Sequence, residues 1–125
     1  MGYFKKIILK NFRNFKIYES EFLKNCNVFY GKNGSGKTNI LESISLFGKG
    51  KGLRNDRIKN MIKVSEKKFI NTCEFLSFSQ EYNIQVVSEK YQNRYTKKIS
   101  FNEDVNRETL EYLNSLITFI VFLPD

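Results

Sequence analysis

The stretch GKNGSGKT, residues 31–38, constrains this chain more than any other feature of its sequence. Gly31, Gly36, Lys37 and Thr38 satisfy the pattern G-x-x-x-x-G-K-[ST] of a phosphate-binding loop, the Walker A motif. A short apolar run precedes the loop and a helical pattern follows it, which is the context that such a loop requires. We therefore predict a strand, a nucleotide-binding loop and a helix in that order.

The residue types of the loop suit the chemistry of a bound phosphate. Glycines at positions 31, 34 and 36 permit backbone angles that turn N–H groups toward an anion, and the amino terminus of the following helix adds to that field. Lys37 is predicted to contact the β- and γ-phosphates, and the Thr38 hydroxyl to ligate a bridging Mg²⁺ ion. A glycine loop without a ligand is the alternative, and the match at four fixed positions disfavours it.

The charge balance indicates a polyanionic partner. The 125 residues have a formal net charge of +8, so the chain attracts phosphate at long range and releases counterions on contact. Nucleic acid is the first expectation and an acidic membrane surface the alternative. With no histidine, and with Cys26 and Cys73 far apart, histidine-based catalysis and structural zinc are excluded. No apolar run suits a signal peptide or membrane span, so we expect a cytoplasmic protein.

The length of 125 residues and the 41% hydrophobic content predict a single domain over residues 1–125, and hydrophobic periodicity predicts both strands and helices within this α/β domain. Strands are expected over 3–10, 16–22 and 26–30, with a basic turn, NFRNF, between the first two. After the loop, an amphipathic helix is expected to bury one face; that face consists of Ile40, Leu41, Ile44 and Phe47.

The second half of the chain reads mainly as β-structure. A glycine-rich basic loop over 48–57 and a short helix over 56–63 are followed by an antiparallel meander. The meander strands are expected over 69–78, 82–89 and 94–101, before a helix over 106–116 with Leu110, Leu113 and Leu116 on one side and a strand over 117–125.

Four segments in this order carry a wider resemblance. LKNFRNF (9–15), NVFYGKNGSGKTNILESI (27–44), GKGLRNDRIKNMI (50–62) and VFLPD (121–125) together resemble the amino-terminal part of the RecF family, recombination-repair ATPases related to SMC and ABC-type ATPase heads. Asn33 in the loop and the run 39–42 after it are typical of that group. The resemblance implies a P-loop NTPase first lobe with a mixed sheet and an antiparallel β-meander.

The resemblance also implies site residues. ATP and Mg²⁺ would be the cofactors, with Thr38 on the metal and Arg13 near the nucleotide. The ATP-contacting residues would be Gly31, Lys32, Asn33, Gly34, Ser35, Gly36, Lys37, Thr38, Asn39 and Arg13. Basic residues expected to contact DNA are Lys10, Lys49, Lys51, Arg54 and Arg57. A solvated surface charge is the alternative for Arg13 and Arg54.

By the same resemblance, the Walker B, signature and D-loop segments of a complete head would follow Asp125. Pro124 and the lack of a following glutamate argue against Asp125 as a Walker B residue. We therefore expect an incomplete head, a fragment or half of a split protein, that does not hydrolyse ATP alone. A second polypeptide would supply the missing lobe, and the completed head would form an ATP-dependent dimer.

The implied process is DNA replication, repair and recombination, including the SOS response. Single-stranded DNA or single/double-strand junctions and other recombination mediators would be the partners, with no membrane. Two alternatives stay open at this point: a small P-loop nucleotide kinase or GTPase, and a non-functional remnant.

Overall fold

A computed structural model of the chain describes residues 2–32, 34, 36–48, 52, 54, 56–77, 79–102, 108, 111, 112 and 117. In chain order its elements are β1 (Gly2–Phe12), β2 (Phe15–Glu21), α1 (Lys37–Ser45), α2 (Ile58–Met61), β3 (Lys68–Ser77), β4 (Gln80–Tyr91) and β5 (Arg94–Phe101). The phosphate loop and the two helices thus lie between an amino-terminal hairpin and a three-stranded meander.

The five strands form one sheet in the order β2-β1-β3-β4-β5. Every neighbouring pair is antiparallel, so the predicted meander of β3, β4 and β5 is confirmed. Strand β1 pairs with both β2 and β3 and therefore joins the hairpin to the meander. The parallel part of the predicted mixed sheet is not found among the described strands.

One face of the sheet is covered, and the alternation in β3 shows why. Phe69, Cys73 and Phe75 are buried, whereas the intervening Ile70 and Thr72 are partly exposed. A period of two places these two sets on opposite faces of the sheet. The burial of one face against the helices therefore fixes the register of the strand.

Aromatic side chains fill the space between the covered face and the helices. Phe12 and Phe69 are fully buried and meet edge to face, with ring centroids 5.0 Å apart. Phe4 lies between Phe47 and Phe75, at centroid distances of 6.0 and 5.2 Å. Each such buried side chain stabilises the fold by roughly 1.5–3 kcal/mol.

The tip of the β1–β2 hairpin is fastened to α2 and the residues after it. The Arg13 backbone N–H donates to the Met61 carbonyl at 2.6 Å, and the Lys63 N–H donates to the Asn11 carbonyl at 2.8 Å. Asn11 and Arg13 have positive φ angles of 57° and 53°, a conformation that non-glycine residues adopt at a cost. These hydrogen bonds offset that cost and fix the direction of the Arg13 side chain.

The predicted strand over 26–30 is wrong. These residues form no strand in the structure, and Val28 and Tyr30 are 78% and 92% exposed. An isolated apolar run gains little from extended structure unless another strand accepts its backbone hydrogen bonds. No described strand lies beside this segment.

The helix after the loop is confirmed, but its predicted buried face is partly wrong. Ile40 is buried and Leu41 is 47% exposed, whereas Glu42 is fully buried. Phe47 is buried but lies beyond the end of α1. The helix is rotated away from the orientation that apolar residues alone predict, and the ion pair of Glu42 described below gives the reason.

The remaining predicted elements are confirmed in part. Helix α2 is shorter than the predicted 56–63. Glu108, Glu111 and Tyr112 have helical backbone within the predicted 106–116. Leu110, Leu113 and Leu116, and the predicted last strand apart from the buried Ile117, lie outside the described residues. Among the helices that the structure describes, none is long and apolar enough to cross a membrane.

Candidate nucleotide-binding site

The phosphate loop uses two of its three glycines for left-handed backbone. Gly34 has a φ of 83° and Gly36, directly before α1, a φ of 104°. L-residues with a side chain rarely adopt these angles. Gly31 is not among the described positive-φ residues, so left-handed backbone occurs at positions 34 and 36 of the loop and not at position 31.

Gly36 is also constrained by the hairpin that packs against it. A Cβ atom at this position would lie 2.6 Å from the Phe15 Cζ atom and 3.2 Å from the Asn14 amide. The Asn39 Nδ2 atom donates to Asn14 Oδ1 at 2.9 Å. The hairpin tip therefore buttresses the loop and the first turn of α1, a contact that the sequence motif does not reveal.

The amino terminus of α1 is arranged to receive an anion. Its N-cap, Gly36, makes no side-chain capping bond, and the first turn contains no acidic residue. The first N–H groups of a helix have no intrahelical acceptor, and the helix dipole favours negative charge there. These residues therefore fit the phosphates of a nucleotide.

Lys37 and Thr38 line the mouth of the loop. The Lys37 Nζ atom donates to the carbonyl oxygen of Gly31, which closes the loop on itself. The Thr38 side chain is exposed and free to face a phosphate-bound Mg²⁺. No group of three or more His, Cys, Asp or Glu side chains that could hold a metal ion occurs in the described part of the chain.

A cavity of about 240 Å³ lies at this end of α1. Its lining residues are Gly34, Gly36, Lys37, Thr38, Asn39 and Arg54. The cavity thus brings together five of the ten predicted ATP-contacting residues, and Lys32 is exposed nearby in the chain. Asn33 and Ser35 lie outside the described residues.

Arg13 lies in a salt-bridge network beside the loop helix. Its Nε and Nη2 atoms donate to the two carboxylate oxygens of Glu42 at 2.7 and 2.8 Å, and Nη2 also contacts Asp56 Oδ2 at 2.8 Å. Its Nη1 atom donates to the Asn60 carbonyl at 3.0 Å. The side chain is 14% exposed, and its predicted contact with the nucleotide stays a prediction.

Hydrogen bonding explains the titration of this network. The bond to Glu42 raises the pKa of Arg13 above its usual value. Hydrogen bonds from the Asn60 amide, the Arg13 guanidinium and the Arg57 backbone N–H lower the pKa of Asp56 to about 2. Both groups are therefore charged at neutral pH, as the salt bridge requires.

Of the predicted DNA-contacting residues, the structure describes Lys10, Arg54 and Arg57. Lys10 is exposed and lies in a groove of about 440 Å³ that also contains Lys67 and Lys68. We call the groove that contains these three lysines the basic groove. Arg57 is exposed before α2, and Arg54 lines the loop cavity. Lys49 and Lys51 lie outside the described residues.

Several residues at the site escaped the sequence analysis. Asn14, Glu42 and Asp56 contact the predicted residues from the hairpin, the helix and the following loop. Lys67 and Lys68 were missed because they stand apart from the basic segments near the loop. Two sequence signals could have identified Asn14 and Glu42. Asn14 is a polar residue at the tip of NFRNF, and Glu42 is a glutamate at a helix position between buried residues.

Comparison with known proteins gives a consistent result. The family model of the RecF/RecN/SMC N-terminal domain matches residues 3–117. The "DNA replication and repair protein RecF" of Thermoanaerobacter sp. (strain X514) is 33% identical over 123 residues, which cover 98% of this chain and 33% of that protein. The protein of the same description from Clostridioides difficile (strain 630) is 36% identical over 122 residues, or 97% of this chain and 31% of that protein.

Solved structures support the same relationship. One described as the recombination mediator protein RecF with ATP in the RecFOR pathway has a TM-score of 0.77 and 27% identity, covering 98% of this chain and 33% of that chain. The chain thus spans about a third of the length of the curated relatives it matches. The predicted fold class and RecF-type resemblance are confirmed: the chain belongs to the RecF/RecN/SMC N-terminal domain family, with the fold of a RecF-type P-loop ATPase head.

Proposed function

We propose that this chain binds Mg-ATP at the phosphate loop and contributes that site to a RecF-type recombination and repair protein that binds DNA in the cytoplasm. The observation that carries the proposal is the cavity at the uncapped start of α1, lined by Lys37, Thr38 and the two left-handed glycines. The description of a related structure as RecF with ATP supports ATP as the nucleotide.

The nucleotide preference is tested by thermal shift. Mg-ATP at ten times its Kd is expected to stabilise the fold by about 1.4 kcal/mol and to raise Tm by about 4 °C, because ligand binds the native state only. AMP at the same concentration should give a shift near zero, since the loop recognises the β- and γ-phosphates.

Mg-GTP is the discriminating comparison. A larger shift with GTP than with ATP would favour the GTPase alternative, and a larger shift with a monophosphate would favour a kinase acceptor site. Equal melting curves with and without every nucleotide would contradict the proposed function and favour a remnant that keeps the fold alone.

The distribution of basic residues supports the DNA-binding part of the proposal. The net charge is +8, and the basic groove places Lys10, Lys67 and Lys68 together on the surface. Lys5 and Lys6, in contrast, form ion pairs with Glu81 and Glu19 at 3.4 and 2.6 Å. The groove, rather than the start of β1, is the better candidate for contacts with DNA phosphates.

DNA binding is expected to be electrostatic and nearly independent of sequence, because phosphate contacts carry no base information. With about three phosphates contacted on single-stranded DNA, log K should fall with log salt at a slope of about −2. Fluorescence anisotropy with a labelled single strand and a single/double-strand junction measures both the slope and the preferred DNA structure.

The double variant Lys67→Gln with Lys68→Gln should make the dependence of log K on log salt less steep. The control variant Lys24→Gln with Lys59→Gln removes the same amount of charge outside the groove. If the two variants lost the same amount of DNA affinity, net charge would determine binding and the groove would have no specific role. Binding that is unchanged from low to high salt would contradict the electrostatic account altogether.

The exposed segment 26–30 supports a further polypeptide segment as partner. Val28 and Tyr30 present apolar side chains to solvent just before the loop, and an exposed apolar surface is one that another polypeptide segment can cover. We propose that the remainder of a RecF-type head covers this segment, whether that remainder belongs to the same polypeptide or to another one. The completed head would then form an ATP-dependent dimer and bind other recombination mediators.

A further inference from the structure

A second cavity, of about 370 Å³, lies between the β-meander and helix α2. Its volume falls in the range of roughly 300–1,000 Å³ that is usual for small-molecule sites. The apolar part of its wall comes from both layers of the fold and consists of Leu46, Ile58, Met61, Phe69 and Tyr95. None of its described lining residues also lines the loop cavity, so this site is separate from the proposed ATP site.

The strand register places a hydroxyl and an amine side by side in this wall. Ser88 of β4 pairs with Phe69 of β3 on one side and with Lys97 of β5 on the other. Residues directly opposite each other in neighbouring strands present their side chains on the same face of the sheet. All three residues line the cavity, so two polar groups stand next to its apolar surface.

The Ser88 hydroxyl lacks a hydrogen-bond partner among the described residues. Its side chain is fully buried, and a buried hydroxyl that has lost its hydrogen bonds to water is destabilising. For this reason nearly all buried polar side chains in proteins are paired. A ligand atom that accepts a hydrogen bond inside the cavity would supply the missing partner.

The charged residues around the cavity favour an anion. Its basic lining residues are Arg57, Lys59 and Lys97. The only described carboxylate of the lining belongs to Asp56, and both of its oxygens already accept hydrogen bonds. Its Oδ2 atom accepts from Arg13 at 2.8 Å, and its Oδ1 atom from the Asn60 amide at 2.9 Å and the Arg57 backbone N–H at 2.7 Å. Burial lowers the pKa of Lys97, and a nearby anion would oppose this effect by stabilising the ammonium form.

We propose that this cavity binds a small amphipathic carboxylate, with its apolar body against the apolar wall and its carboxylate between the Ser88 hydroxyl and the Lys97 ammonium group. A carboxylate accepts several hydrogen bonds and can therefore bind both donors at once. A neutral apolar molecule would leave Ser88 unpaired, and a purely polar anion would leave the apolar wall uncovered. The inference goes beyond the proposed function and does not depend on ATP binding.

The test compares octanoate, 1-octanol and octylammonium, which share one alkyl chain and differ in the head group. On addition of octanoate to the purified chain, the methyl NMR resonances of Ile58 and Met61 should shift, whereas those of Leu23, which is 73% exposed before the loop, should stay in place. Octanoate is expected to bind about tenfold more tightly than 1-octanol, because it gains charge-assisted hydrogen bonds. Octylammonium should bind most weakly, since it meets like charge.

Lys97→Gln tests the head-group contact against its matched control, Lys98→Gln. Lys98 is exposed and, as the next residue of β5, presents its side chain on the other face of the sheet. Lys97→Gln is expected to weaken octanoate about tenfold and 1-octanol by less than about twofold. Lys98→Gln should change both affinities by less than about twofold. A lysine that only supported the packing of the hairpin would change both ligands alike, and that result would overturn the inference.

Ser88→Ala separates ligand binding from stability. It should raise the Tm without ligand, because it removes an unpaired buried hydroxyl, and yet weaken octanoate about threefold. Asn71 provides the control: its amide is also buried and unpaired among the described residues, but it is not among the described lining residues, so Asn71→Leu should leave octanoate binding unchanged. Equal affinities for octanoate and 1-octanol, or unshifted Ile58 and Met61 resonances, would overturn the inference, whereas the titrations with Mg-ATP decide the proposed function separately.

Discussion

Replacement of Lys37 by alanine is expected to lower the affinity for Mg-ATP about a hundredfold. The ammonium group lies at the mouth of the loop, where its partner is the Gly31 carbonyl, and a phosphate oxygen is a stronger acceptor for a cation than a neutral carbonyl. Loss of a charge-assisted hydrogen bond of about 2.7 kcal/mol corresponds to that factor. Titration with a fluorescent ATP analogue measures the change.

The control for this prediction is Lys24→Ala, which removes the same charge from an exposed position before the loop. It should bind the analogue as the wild type does. The melting temperature of Lys37→Ala without nucleotide should lie close to that of the wild type, which shows that a loss of affinity is not a loss of fold. Equal affinities of Lys37→Ala and the wild type would contradict the assignment of the site.

The sequence predicted the loop because the Walker A pattern couples residue type to conformation. Gly34 and Gly36 adopt the left-handed angles that only glycine favours, and α1 begins at Lys37 as the motif requires. The meander was predictable for a similar local reason: alternating burial along β3 follows the alternation of its side chains. Both signals depend on residues that are neighbours in the chain.

The failures of prediction involve partners that are distant in sequence. Leu41 was predicted on the buried face of the helix and Glu42 was not included in it, because a hydrophobic pattern selects only apolar residues. Arg13 reverses this preference from 29 residues away by satisfying both carboxylate oxygens. The apolar run at 26–30 failed for the complementary reason, since strand formation depends on a pairing partner that a local pattern does not contain.

The same ion pair leads to the largest expected change in stability. Arg13→Ala is expected to reduce the free energy of unfolding by about 3 kcal/mol or more, because it leaves the fully buried Glu42 carboxylate without its bidentate partner. For a domain of this size, that loss lowers Tm by about 10 °C. Urea unfolding followed by circular dichroism measures it.

Two further variants separate the charge of Arg13 from its geometry. Arg13→Lys keeps the charge but not the planar fork, so it should lie between the wild type and Arg13→Ala. Lys16→Ala removes an exposed cation from the same hairpin and should change the unfolding free energy by less than about 0.5 kcal/mol. If Arg13→Ala were as stable as Lys16→Ala, the network would not anchor the loop helix.

Acid pH gives an independent test through the second carboxylate of the network. Hydrogen bonds from Asn60 and Arg13 hold the pKa of Asp56 at about 2, below its ordinary value of 3.8. A lowered pKa means that the stabilising contribution of Asp56 is complete above pH 3.8 and is lost as the pH falls toward 2. The stability difference between the wild type and Asp56→Asn should therefore be constant from pH 7 to about pH 4.5 and should shrink below pH 3.8. A difference that instead disappeared between pH 7 and pH 5 would show that some other group titrates, and that Asp56 does not hold Arg13 in the way that the geometry indicates.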